Sequence, residues 1–155
     1  MPVLMIGCHK VIQQQKDLFS IIQPITMIDR PVMELALETA DSSLSRKKVG
    51  ALLLNRGKIV AKGVNQDTKS HPLQARLAEM VGLDDKIYLH AEVSALIKCK
   101  SDVDTIVVAR LGGHDGDELR NAEPCPICKL ALKNAGIRHI YYTTDDGFLY
   151  TYHKY

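Results

Sequence analysis

Two short segments combine residue types that do metal chemistry. The first is His90-Ala91-Glu92 and the second is Pro124-Cys125-Pro126-Ile127-Cys128. Zinc takes imidazole nitrogen and thiolate sulfur, and three protein ligands leave one tetrahedral position open, as catalytic rather than structural sites do. His90, Cys125 and Cys128 supply three such ligands. Glu92, two residues from a ligand, is placed to sit beside the metal without binding it and to move a proton. Alone, either segment says little. A C-x-x-C also suits a redox pair or half a zinc ribbon, and H-A-E is built of common residues. A closed structural site would need a fourth ligand, for which His71, His114 and Cys99 are available. Order, spacing and the preceding Pro124 favour the catalytic zinc site.

The elements that must position these groups follow from pattern. Both segments open predicted helices, about Ala91–Lys100 and Pro126–Ala135. There the partial positive charge of the helix start favours thiolate over thiol. Pro126 near the start and Gly136 past the end mark the second helix. Pro31–Leu44 reads as an amphipathic helix, with Val32, Leu35, Ala36, Ala40 and Leu44 at helical spacing. Val49–Asn55 and Lys58–Gly63 form a hairpin across Asn55-Arg56-Gly57-Lys58. Residues 66–72 read as a loop ending in His71-Pro72, and Leu73–Val81 as a short helix stopped by Gly82. Asp104–Arg110 is a buried strand and Leu111–Glu123, with three glycines, a flexible loop. Arg138–Thr143 and Phe148–Tyr152 are strands joined by the Asp145-Asp146-Gly147 turn. This order predicts an α/β domain, a mixed sheet of about five strands with helices on its faces. Residues 1–30, with Pro24, form an extension that the pattern does not place.

The 155 residues, 46% hydrophobic and 25% charged, suit one globular domain with a core about 32–152. Lys+Arg 20 against Asp+Glu 18 leaves +2, against a dedicated nucleic-acid binder. No apolar run approaches the roughly 20 residues of a membrane span. Leu4-Met5-Ile6-Gly7-Cys8 has the look of a lipoprotein cleavage site, but too few residues precede Cys8 and none is basic. The expectation is a cytoplasmic protein with reduced cysteines, Cys8 and Cys99 being inert thiols.

His90-Ala91-Glu92 and Pro124-Cys125-Pro126-Ile127-Cys128 match the signature H-x-E…P-C-x-x-C of zinc-dependent base deaminases. The chain resembles the cytidine/deoxycytidylate deaminase superfamily over roughly residues 32–152. Val49-Gly50-Ala51-Leu52-Leu53 resembles that family's first strand and Gly63-Val64-Asn65 the end of its second. The segment from Cys128 through Ala135-Gly136-Ile137-Arg138-His139-Ile140-Tyr141-Tyr142 resembles deoxycytidylate deaminases. The resemblance implies a three-layer α/β/α sandwich with a five-stranded sheet, one Zn2+, and Glu92 as the proton carrier. It also implies that Asn65 contacts sugar or base and that the Ala91 backbone contacts the base.

The substrate evidence divides. Ser94 stands where deoxycytidylate deaminases often carry Asn. The short turn before the last strand suggests an antiparallel ending, closer to free-nucleoside cytidine deaminases. Deoxycytidylate is the first expectation and cytidine or deoxycytidine the second. His71 and Lys69 would meet a phosphate, or stand as solvated loop residues; Lys62 and Arg76 are open to the same two readings. Glu123 orients its loop or takes a proton. A polynucleotide substrate needs basic and stacking groups, and the chain has no Trp, two Phe and a Tyr-rich tail. Another nucleobase, or a silent zinc-stabilised binding module, completes the alternatives; an intact Glu92 speaks against the last. A homo-oligomer is expected.

Overall fold

The structure is a computed structural model describing residues 28–155. The readings at Cys8, His9, Pro24 and the cleavage-like segment lie outside those residues. The elements are α1 (Arg30–Asp41), β1 (Lys48–Asn55), β2 (Lys58–Val64), α2 (Pro72–Met80) and α3 (Ala91–Lys98). They continue with β3 (Thr105–Gly112), β4 (Glu118–Arg120), α4 (Pro126–Asn134), β5 (His139–Thr144) and β6 (Gly147–Tyr152). The sheet order is β2-β1-β3-β5-β6, with β4 on β3. Among the described residues only β3 and β5 run parallel, Thr105–Val108 pairing with His139–Tyr142. Every other ladder is antiparallel.

The continuous apolar runs of β1 and β3 arise because both faces of these central strands are covered. Leu52, Leu54, Val107, Ala109 and Leu111 pack against Met33, Ala36 and Leu37 of α1. Ala51, Leu53, Ile106 and Val108 face Ala91 and Ala95 of α3 and Leu132 of α4. Beyond them, Leu77 and Ala78 of α2 meet Val93, Ile127 and Ala131. The expected α/β/α sandwich is present.

Three details differ from the pattern reading. Helix α1 ends at Asp41, not Leu44, and the Leu44 side chain is fully exposed. The Ser42 N–H and hydroxyl take the last carbonyls, closing the helix earlier. The sheet has a sixth strand, because the predicted loop Leu111–Glu123 contains β4. Gly113 and Gly116 adopt φ 84° and 69°, reversing the chain so that Arg110 pairs with Arg120 and Gly112 with Glu118. A three-residue strand is too short for alternation to reveal. The start of α2 moves back to Pro72, because His71 caps it.

Gly63 brings the site's helix onto the sheet. A Cβ there would stand 2.5 Å from the Ala95 nitrogen and 2.7 Å from the Ala91 oxygen, both α3 backbone.

Candidate active site

His90 is the N-cap of α3 and Cys125 the N-cap of α4, with Cys128 one turn further on. Two helix starts on the same face of the sheet thus meet. Their donor atoms all lie within 4.8 Å of one another. His90 Nδ1 is 3.3 Å from Cys128 Sγ and 3.4 Å from Cys125 Sγ. Tetrahedral zinc with its usual bond lengths would hold nitrogen and sulfur about 3.5 Å apart, so the donor set fits that ion. Among the described residues, the group able to hold a metal is these three; His71, His114 and Cys99 are not part of it.

The thiols share protons unevenly. The hydrogen bond from Cys128, followed by that with His90, lowers Cys125 from 9.0 to about 4. Cys128 is pushed well above 9.0 by its hydrogen bond to Cys125 and by burial. His90 is raised, chiefly by its hydrogen bond with the Cys125 sulfur. A bound zinc takes both sulfurs as thiolates.

Glu92 lies in the first turn of α3, 5% exposed. Burial raises its carboxyl above the ordinary range. It lies within hydrogen-bond reach of the Cys128 thiol but outside the donor group. A buried carboxyl shifted in this direction suits a group that takes up and gives back a proton.

Residues 27–144 match the family model of the cytidine and deoxycytidylate deaminase zinc-binding region. The chain belongs to that family.

The deaminase domain also resembles two solved structures of dCMP deaminase from the cyanophage S-TIM5. The complex with dCMP and dUMP is 24% identical, with TM-score 0.48, covering 72% of this chain and 77% of that one. The apo form is 23% identical, with TM-score 0.45, covering 74% and 84%. No curated protein sequence matches the chain. No helix among the described residues is long and apolar enough to cross a membrane.

Asn65 lines a cavity of about 480 Å³ together with His90. Its Oδ1 accepts from Ser43 Oγ at 2.7 Å and the Val49 N–H at 3.1 Å, and its Nδ2 donates to the Lys47 carbonyl at 2.6 Å. The side chain therefore ties the entry of β1 to the end of β2. Ala91 is fully buried at the first position of α3. His71 is not in the cavity lining: its Nδ1 accepts the Leu73 N–H at 3.1 Å. Lys62 lines a separate cavity between α1 and β2. Glu123 is exposed and pairs with Lys129 at 3.2 Å.

Pattern reading missed the mouth. Arg46 and Lys47 from the approach to β1, and Lys86 and Tyr88 from the approach to α3, line the same cavity. Among the described residues none of these three cations forms an ion pair. They were not legible because no short stretch of sequence contains both groups.

Proposed function

We propose that the domain hydrolytically deaminates the cytosine of a free nucleotide or nucleoside, releasing ammonia and the uracil product. Deoxycytidylate is the first choice. The observation that carries this reading is the cavity of about 480 Å³ that joins His90 to three cations, Arg46, Lys47 and Lys86, which outnumber the two carboxylates of its lining, Asp67 and Asp85. That volume suits one small-molecule ligand, and the cations suit a 5′-phosphate.

Zinc held by His90, Cys125 and Cys128 would supply an activated water nucleophile. Glu92 would receive one proton from the water whose oxygen bonds the amine-bearing carbon, and deliver it to the ring nitrogen. It would then take the second proton from that same oxygen and pass it to the exocyclic amine, so that the carbon–nitrogen bond breaks, the oxygen becomes the uracil carbonyl and neutral ammonia leaves. Asn65 walls the sugar side with its second Nδ2 hydrogen, and the buried Ala91 backbone contacts the base. His71 serves the site indirectly, as a helix cap. The two thiolate donors require a reducing compartment, in keeping with the cytoplasm. The active species is read as a homo-oligomer, which sedimentation would check.

A second reading, cytidine or deoxycytidine, is favoured by one observation: β6 pairs antiparallel to β5 from Gly147 to Tyr152. An ammonia-release panel separates the two, using cytidine, deoxycytidine, deoxycytidylate, adenosine, guanine and a single-stranded oligodeoxynucleotide. We expect deoxycytidylate to give the highest kcat/KM. Lys47→Ala with Lys86→Ala should raise KM for it and leave deoxycytidine unchanged. Equal kcat/KM for the nucleoside and the nucleotide would remove the phosphate site. Turnover of the oligonucleotide alone, or of a purine alone, would overturn the reading. No turnover of anything, with zinc bound, would leave a silent binding module.

A further inference from the structure

Helix α2 contributes no residue to the three-donor group, yet it touches both halves of it. Its buried face is Gln74, Leu77 and Ala78, spaced three and four apart. Leu77 and Ala78 pack with Ile127, Cys128 and Ala131 of α4, the half that carries the sulfurs. Gln74 has no exposed surface, on a face where a leucine or methionine would be the ordinary choice. A primary amide is costly to bury unless its groups find partners. Gln74 finds two on the other half of the site. Its Oε1 accepts the His90 N–H at 3.2 Å, and its Nε2 donates to the Lys86 carbonyl at 3.3 Å. The His90 N–H belongs to a helix N-cap, where no intrahelical carbonyl can take it.

We propose that Gln74 is a positioning residue of the metal centre. Its amide holds the backbone of His90, so that the imidazole meets two sulfurs set by a different helix. Helix α2 is the brace between the halves, apolar toward the cysteines and hydrogen-bonding toward the histidine. His71 belongs to this device, because its Nδ1 and Pro72 start the helix that carries Gln74. The inference rests on the three-donor site and is independent of which cytosine compound is the substrate.

The test measures zinc affinity of the full chain by chelator competition, after circular dichroism has shown that each variant is folded. Gln74→Met keeps the volume and loses both bonds. Partners behind metal ligands change affinity about 10–100-fold when removed, and a loss of that size is expected. Gln74→Glu keeps an acceptor for the His90 N–H in either protonation state and should recover most of it. With the best substrate, Q74M should lower kcat and leave KM within about twofold. Zinc affinity of Q74M within threefold of the parent would overturn the proposal, as would equal losses in Q74M and Q74E, since an acceptor kept for the His90 N–H would then hold nothing in place. If Q74M does not fold, Q74E and hydrogen exchange of the parent decide. A protected His90 amide supports the clamp, and exchange as fast as an open loop amide refutes it.

Discussion

Cys125 and Cys128 sit one helical turn apart but carry different charge. In the metal-free protein Cys125 ionises at about 4, because Cys128 and His90 hydrogen-bond to its sulfur, whereas Cys128 keeps its proton. Thiolate, not thiol, is the nucleophile. Iodoacetamide at pH 6 should therefore alkylate Cys125 far faster than Cys99, and zinc loading should protect it; mass spectrometry of the labelled peptides reads both. Cys125→Ser should remove most of the zinc, about one ion per chain by elemental analysis. Glu92→Gln should keep zinc and the fold while losing about 10²–10⁴ in kcat, the range of a general acid–base group. The same substitution bears on stability. Burial raises the folded Glu92 above 4.5, so the carboxylate opposes folding at higher pH and the protonated form does not. Metal-free E92Q should melt above its parent at pH 7, with the gap closing as pH falls below 4.5.

The elements are held to the site by close backbone approaches and by one fork in the sheet. Gly63→Ala would drive a methyl group into the α3 backbone between Ala91 and Ala95. Overpacking of this kind costs about 1–3 kcal/mol. Because α3 carries Glu92 and starts at His90, kcat should fall with stability, measurable by urea denaturation and turnover. The fork lies where β3 leaves β5 to pair with β4. Thr143, fully buried, accepts the Arg110 N–H at 2.9 Å and donates to the Arg120 carbonyl at 2.8 Å. Its own carbonyl takes the Ala122 N–H, three residues before Cys125. Thr143→Val strands two part-buried backbone groups, which should cost about 1–3 kcal/mol, while Thr143→Ser should cost less. Comparing their denaturation midpoints checks this.

Across the whole molecule, α1 covers one face of a mixed sheet, and α3 and α4 cover the other with α2 outside them. The layers bring residues 46–47, 86–90 and 125–128 to one end of the sheet. By itself the sequence picked out the three residues that the fold brings together, with Glu92 beside them, and most element boundaries, because these are local facts. C-x-x-C spans one helical turn, H-x-E straddles a helix start, and apolar runs declare buried strands. The antiparallel ending was also legible, since Asp145-Asp146-Gly147 permits only a short connection. Tertiary structure alone decided that β4 joins the sheet, that Asn65 spends its amide on residues 43–49, and that His71 caps a brace. It alone decided that Gln74 reaches His90 and that separated cations share one mouth. Each of these is a contact between residues distant in sequence or a use of hydrogen-bonding groups. Neither leaves a periodicity in the chain, so only packing of the layers settles which groups meet.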